Sequence, residues 1–220
     1  MSAAATSSRE RVLERIRKAN SRAARPQEAI PRAYDGAGSD GANAPSAEVV
    51  ALFEERLRDY DACVFHVRQH EIAAKAAAIL KAANRTRMAV PVGLPATWRD
   101  DGVEWIADQE LSVDALNAVD GVMTAATLGI AVSGSIVLQH GPTEGRRVLT
   151  LLPDYHLCIV DAAQVVESLP EAFARIDSTR PVTFFSGPSA TADIEMTRIK
   201  GVHGPRFLDV LLVDVLPVQD

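Results

Sequence analysis

Three short stretches of this 220-residue chain place polar chemistry inside otherwise apolar sequence. In Phe185-Ser186-Gly187-Pro188-Ser189-Ala190-Thr191-Ala192-Asp193-Ile194-Glu195, a strand-like run leads into Gly-Pro and small hydroxyl residues. The pattern predicts a helix over roughly 189–200. Free N–H groups at a helix N-terminus, together with the macrodipole, attract anions. Gly187 would let the backbone approach a ligand, while Ser189 and Thr191 can cap the helix or donate to a ligand oxygen. The plainer alternative is a capped strand-to-helix turn with no ligand. In Gly201-Val202-His203-Gly204-Pro205-Arg206, Gly201 suits the residue that closes a helix. His203 sits in a glycine-flanked loop, where an imidazole can orient a substrate or move a proton; a structural hydrogen bond is the alternative. The third stretch, Ala131-Val132-Ser133-Gly134-Ser135, puts two hydroxyls around a glycine just before a strand. It can bind a phosphate or carboxylate, or simply form a bulge.

Other chemistries lack their residues. His66 and His70 are four apart, but the first ends a strand-like run and the second starts a helix, with no third ligand nearby for zinc. Two distant cysteines, Cys63 and Cys158, do not make the four-thiolate set of an iron–sulfur cluster. No G-x-G-x-x-G follows a strand, and there is neither a P-loop nor a G-x-S-x-G elbow.

The elements that must position the three stretches alternate in type. Ser7-Ser8-Arg9-Glu10 is a capping box, and Val12, Leu13 and Ile16 give a thin apolar stripe, so a helix is expected over residues 8–23. Residues 24–45 are rich in Ala, Pro and Gly and predict a linker without regular structure. From Ser46, a helix with Val49, Val50, Phe53 and Leu57 on one face precedes the strand Ala62–Phe65. A second helix carries Ile72, Ala76, Ile79 and Leu80, and a strand follows at Met88–Pro91. Further strands are expected at 121–126, 135–138, 147–152, 156–160, 182–185 and 210–213. A hairpin should join the second and third of these through His140-Gly141-Pro142-Thr143-Glu144-Gly145, and a helix should cover 162–176. This order predicts a three-layer α/β domain over 46–220, with a mostly parallel sheet and an inserted β-hairpin.

Composition agrees with such a domain. Hydrophobic residues make up 47% and charged residues 24%. The two cysteines lie in apolar runs and point to buried free thiols and a reducing compartment. No apolar run reaches the length of a membrane span and no signal pattern opens the chain, so a cytoplasmic protein is expected. The net charge of −6 is unevenly spread: residues 1–25 hold seven Arg or Lys against two Glu, leaving −11 for the rest. An acidic body does not suit nucleic acid. The basic N-terminal helix can be a docking element or a solvated face.

Taken in order, several stretches resemble the LUD-domain family and, within it, the lactate-utilisation protein C group. They are Thr124-Ala125-Ala126, Gly129 to Leu138, Leu152-Pro153-Asp154-Tyr155-His156, Ser186 to Glu195, and Gly201-Val202-His203-Gly204-Pro205. The likeness covers about residues 46–215. It implies a fold like that of ribose-phosphate isomerases and CoA transferases. It also implies a non-redox place in a system oxidising L-lactate to pyruvate, whose iron–sulfur partner proteins carry the redox centres, with no cofactor on this chain. From the residues themselves, Ser133, Gly134, Ser135, Gly187, Ser189, Thr191, Asp193 and Gly204 are candidates to bind a small anionic ligand, with Glu195 and His203 as candidate catalytic groups. Of these, Ser133, Ser135, Ser189, Thr191, Glu195 and His203 are expected to converge on one polar pocket at the carboxyl edge of the sheet. Val132 stands where the family often has an acidic residue. The alternative function is a stand-alone transferase or ligase acting on a small anionic metabolite.

Overall fold

The computed structural model describes residues 7–22, 44–188, 190–192, 198–200 and 204–213. Two compact units are present, Met1–Tyr34 and Asp35–Asp220. In the first, helix α1 spans Ser8–Arg22. Its capping box is formed: the Ser7 amide donates to Glu10 Oε2 at 2.7 Å, and the Glu10 amide donates to Ser7 Oγ at 3.2 Å. The expected linker at 24–45 lies almost wholly outside the described residues.

The second unit is an α/β body built on a six-stranded, all-parallel sheet. Its strands in chain order are β1 (Cys63–Val67), β2 (Arg87–Val90), β3 (Glu104–Ala107), β4 (Gly121–Ala125), β7 (Tyr155–Asp161) and β12 (Phe207–Val213), arranged in space as β1-β12-β7-β4-β2-β3. β7 and β12 lie near the centre and are covered on both faces, which is why they read as near-continuous apolar runs. A smaller sheet has the order β8-β5-β6-β9, with β5 at Leu128–Ile130, β6 at Ser135–Leu138, β8 at Val165–Val166 and β9 at Thr183–Phe185.

Helix α2 (Ala47–Asp59) starts where Ser46 Oγ accepts from the Val49 amide. It buries Phe53 and Leu57, one turn apart, between the two sheets, against Val64, Val210 and Val160 of the main sheet and Ile136 and Leu138 of the small one. Burying each of these two side chains stabilises the fold by roughly 1.5–3 kcal/mol. Helix α3 (Ile72–Ala82) repeats the spacing with Ile72, Ala76 and Leu80 and covers the other face, against Met88, Met123, Leu157 and Leu211. Helix α4 (Val113–Asn117), capped by Ser112, inserts Leu116 beside Ala89 and Val122. Helix α5 (Leu169–Arg175) closes the outer face of the small sheet through Ala172.

Several elements differ from the sequence expectation. The stretch expected as a helix over 189–200 holds instead two antiparallel strands, β10 (Ala190–Ala192) and β11 (Arg198–Lys200), with Thr191 paired to Ile199. The β-branched residues favour extended backbone over the helix that the Ser189 capping signal implied. Residues 147–152 are not a strand: Arg147–Thr150 forms a 3-10 turn that drops Leu149 into the core. The inserted hairpin therefore pairs β6 with β5, and Ala131-Val132-Ser133-Gly134 is its turn. The helix expected over 162–176 is a short turn, then β8, then α5, because Val165 and Val166 pair with Gly129 and Ile130 and Pro170 fits only the first turn of a helix. β3 and α4 were not foreseen. Cys158 is buried as expected, but Cys63, at the start of β1, is exposed. No described helix is long and apolar enough to cross a membrane.

Candidate functional site

The turn after β9 and the turn between β5 and β6 meet beside the last turn of α2. Ser133 Oγ lies 2.8 Å from Ser135 Oγ, and Ser135 Oγ lies 2.7 Å from Ser186 Oγ, a hydroxyl chain that ties the two turns together. Ser135 is buried and Ser133 exposed, so the chain runs from solvent inward and back out to Ser186.

Gly134 and Gly187 are needed here for a reason other than ligand approach. Both have left-handed backbone, with φ of +57° and +73°. A Cβ on Gly134 would stand 2.7 Å from Arg56 Cβ, and one on Gly187 would stand 2.4 Å from Tyr60 Cβ and 2.6 Å from its carbonyl oxygen. The backbone that approaches these glycines is the end of α2.

Ser186 and Gly187 open onto a cleft of about 280 Å³. Arg147 and Thr150 of the 3-10 turn line it as well, and Gly204 lies on the approach to β12. The floor is His156 and Leu208, register partners at the second positions of β7 and β12. The cleft thus opens at the amino edge of the parallel sheet, not at the carboxyl edge expected from sequence. That expectation followed the general habit of open α/β sheets. Here the small sheet covers one face and shapes a cleft at the opposite end.

The chemistry of the cleft is that of one cation and several hydroxyls. Arg147 is exposed, and among the described residues no carboxylate pairs with it. Thr150, Thr183 and Ser186 supply hydroxyls, and the described lining contains no carboxylate side chain. His156 does not add charge: complete burial lowers its pKa to about 3, so its imidazole is neutral at physiological pH. Its Nε2 lies 2.8 Å from the Thr124 hydroxyl, and its ring centroid is 5.5 Å from that of Phe185. Beyond it, burial pushes the Cys158 thiol up, keeping it protonated. At the rim, Asp154 and Arg206 form an ion pair that neutralises both.

Of the residues expected to form the site, Ser133, Gly134, Ser135 and Gly187 come together at the hydroxyl chain, and Gly204 lines the same cleft. Thr191 is described only as main chain in β10, so the helix N-terminus that was to bind an anion there is absent. Ser189, Asp193, Glu195 and His203 lie outside the described residues. Sequence reasoning missed Arg147, Thr150 and Thr183, because the first two were hidden in an apparent strand. Ser186 and His156 stood in informative stretches without being singled out. Among the described residues, no group of three or more His, Cys, Asp or Glu is placed to hold a metal ion. His66 bonds Glu54 at 2.7 Å instead of joining His70.

The LUD domain model matches residues 9–213. The lactate utilization protein C of Deinococcus radiodurans is 40% identical over 172 residues, covering 76% of this chain and 80% of that protein. The lactate utilization protein C 1 of Bacillus mycoides is 33% identical over 135 residues, and the match spans only 57% of its length. The crystal structure of a DUF162 family protein from Deinococcus radiodurans superposes with a TM-score of 0.64 at 34% identity, covering 76% of this chain and 97% of that one.

Proposed function

The chain belongs to the LUD-domain family, and from that membership we propose that it is a non-redox component of L-lactate utilisation that holds a small carboxylate in the amino-edge cleft. The observation that carries the site is Arg147 lining one cleft with Thr150, Thr183 and Ser186. A 2-hydroxy acid offers a carboxylate for the guanidinium and a hydroxyl for the threonine or serine oxygens. Charge-assisted bonds of this kind orient a ligand as well as hold it. The cleft, at about 280 Å³, suits a metabolite of that size.

Oxidation of L-lactate to pyruvate moves two electrons, which amino-acid side chains do not accept; that work belongs to cofactors. The chain's thiols are separated, Cys158 inside β7 and Cys63 at the edge strand β1. In this proposal the redox centres sit on iron–sulfur partner proteins. The basic helix α1 then serves as a docking element, since opposite charge steers association and salt weakens it.

Titration of the purified protein with L-lactate and pyruvate tests the cleft. Binding should weaken about tenfold in Arg147→Gln, the loss of one charge-assisted contact. Affinity that ignores this substitution rejects the cleft. Growth on L-lactate tests the role: a strain without the gene should fail to grow and recover with the wild-type gene. Normal growth of the deletion strain rejects the metabolic assignment. Removal of residues 1–25 should reduce co-purification of the iron–sulfur partners most clearly at low salt, and unchanged co-purification rejects docking by α1.

A further inference from the structure

The carboxyl end of the main sheet holds a second, larger groove, of about 750 Å³. One side is formed by the residues that follow β2 and β3, Pro91 to Gly93 and Asp108 to Glu110. The other is formed by the loop after β6, His140 to Pro142, and by Arg180. Ligands of parallel α/β sheets favour this end of the strands, and the volume lies in the usual range of about 300–1,000 Å³ for small-molecule sites.

The groove is held by specific contacts. The Gly93 amide donates to the Pro142 carbonyl at 3.1 Å, and a Cβ on Gly93 would come within 2.6 Å of Pro142, so the two loops are locked together. His140 adopts φ of +54°, a conformation that costs a non-glycine residue free energy. Its ring is fixed from both sides, Nδ1 lying 3.1 Å from the Gly145 carbonyl oxygen and Nε2 2.8 Å from Thr183 Oγ1. Arg146 is consumed by a two-point bond to the buried Asp108, at 2.8 and 2.6 Å. Arg180 is different. It is exposed on the groove wall beside Gly141, and among the described residues its guanidinium makes no hydrogen bond or ion pair. The nearby Asp177 carboxylate accepts from the hydroxyl and amide of Thr179, which lower its pKa, and feels the Arg180 charge more weakly. Val92, 63% exposed on one side, and Pro142 on the other give the groove its apolar surface.

We infer that this groove is a second ligand site, for an organic carboxylate with an apolar body: the carboxylate sits on Arg180 and the hydrocarbon lies along Val92 and Pro142. The groove shares no lining residue with the amino-edge cleft, although His140 of the groove and Thr183 of the cleft are hydrogen-bonded, and it takes a longer molecule.

The test uses the straight-chain acids butyrate, hexanoate and octanoate with the full-length ¹⁵N-labelled protein. Amide shifts should centre on residues 92–93, 109–110, 141–145 and 180. Affinity should rise about fourfold for each methylene that reaches the wall. Arg180→Gln should weaken every acid about tenfold, and Val92→Asp should flatten the chain-length series. Both side chains are exposed, so each variant should melt as the wild type does. Neither should alter L-lactate binding at the other end of the sheet, which keeps failure here distinct from failure of the proposed function. A flat series in the wild-type protein, shifts centred on 184–188 and 204–208, or Arg180→Gln without effect would overturn the inference.

Discussion

Replacing Gly134 or Gly187 with alanine separates two explanations for glycine in these turns. If the glycines exist to let a ligand approach the backbone, alanine lowers affinity and leaves stability alone. The geometry predicts the reverse order of effects. Each position has left-handed φ, which costs a residue with a Cβ about 1–2 kcal/mol. Each new Cβ would also stand well inside contact distance of the α2 chain, 2.7 Å from Arg56 Cβ and 2.8 Å from its carbonyl carbon in one case, 2.4 Å from Tyr60 Cβ and 2.6 Å from its oxygen in the other. Backbone cannot swing away as a side-chain tip can, so α2 must shift, and overpacking of this kind adds about 1–3 kcal/mol. The total, roughly 2–5 kcal/mol, corresponds to a fall in Tm of roughly 5–15 °C for a domain of this size. Gly141→Ala is the control, because the nearest atom to its Cβ would be the Arg180 Nη2 at an ordinary 3.7 Å. Thermal melts followed by circular dichroism should show large losses for the first two variants and less than about 1 kcal/mol for the third. Unchanged Tm in both Gly134→Ala and Gly187→Ala, with weakened ligand binding, would refute the packing argument.

His156, Ser135 and Cys63 give three further expected outcomes. His156 has a folded-state pKa of about 3 against an ordinary 6.5, so its contribution to stability is complete above about pH 6.5 and is lost as pH falls toward 3. Between pH 7 and pH 5 the wild type should lose about 2 kcal/mol more than His156→Gln in urea unfolding, and equal losses would show that the histidine is not buried neutral. Ser135→Ala interrupts the hydroxyl chain and leaves Ser133 and Ser186 without their shared partner; urea midpoints should report a loss of about 1–2 kcal/mol. The Cys63 thiol is pushed up by burial of the group and then by the adjacent Asp209 carboxylate, so iodoacetamide should label it slowly at pH 8 and faster in Asp209→Asn. A rate equal to that of the denatured chain would contradict this.

Local signals were the legible part of the sequence. The Ser7–Glu10 box, the Ser46 cap and the four-residue spacing of Ile72, Ala76 and Leu80 each depend on neighbours within one or two turns, and each is formed. The apolar runs of β7 and β12 are distinctive because both faces are covered. Pairing was not legible. β12 lies between β1 and β7, and β6 pairs with the preceding β5 rather than with the apolar run that follows it. A short apolar run such as Arg147–Leu152 carries no period that distinguishes a strand from a tight helical turn. That ambiguity concealed Arg147, the cation of the amino-edge cleft.

The stretches around Gly134 and Gly187 are polar and glycine-rich because they turn the chain close against α2. Gly134 and Gly187 admit the end of the helix, and the hydroxyls of Ser133, Ser135 and Ser186 satisfy one another where that close approach leaves no room for larger side chains. Packing and ligand chemistry therefore draw on the same residue types at the same place. What separates them is charge. A helix-docking turn has no need of a guanidinium, yet Arg147 lines the cleft with Thr150, Thr183 and Ser186, and no carboxylate stands in the described lining. Arg146 is closed by the buried Asp108, whereas Arg147 is exposed and has no carboxylate partner among the described residues. In the proposed reading a small carboxylate is the partner of Arg147, the residue on which that assignment of the cleft stands or falls.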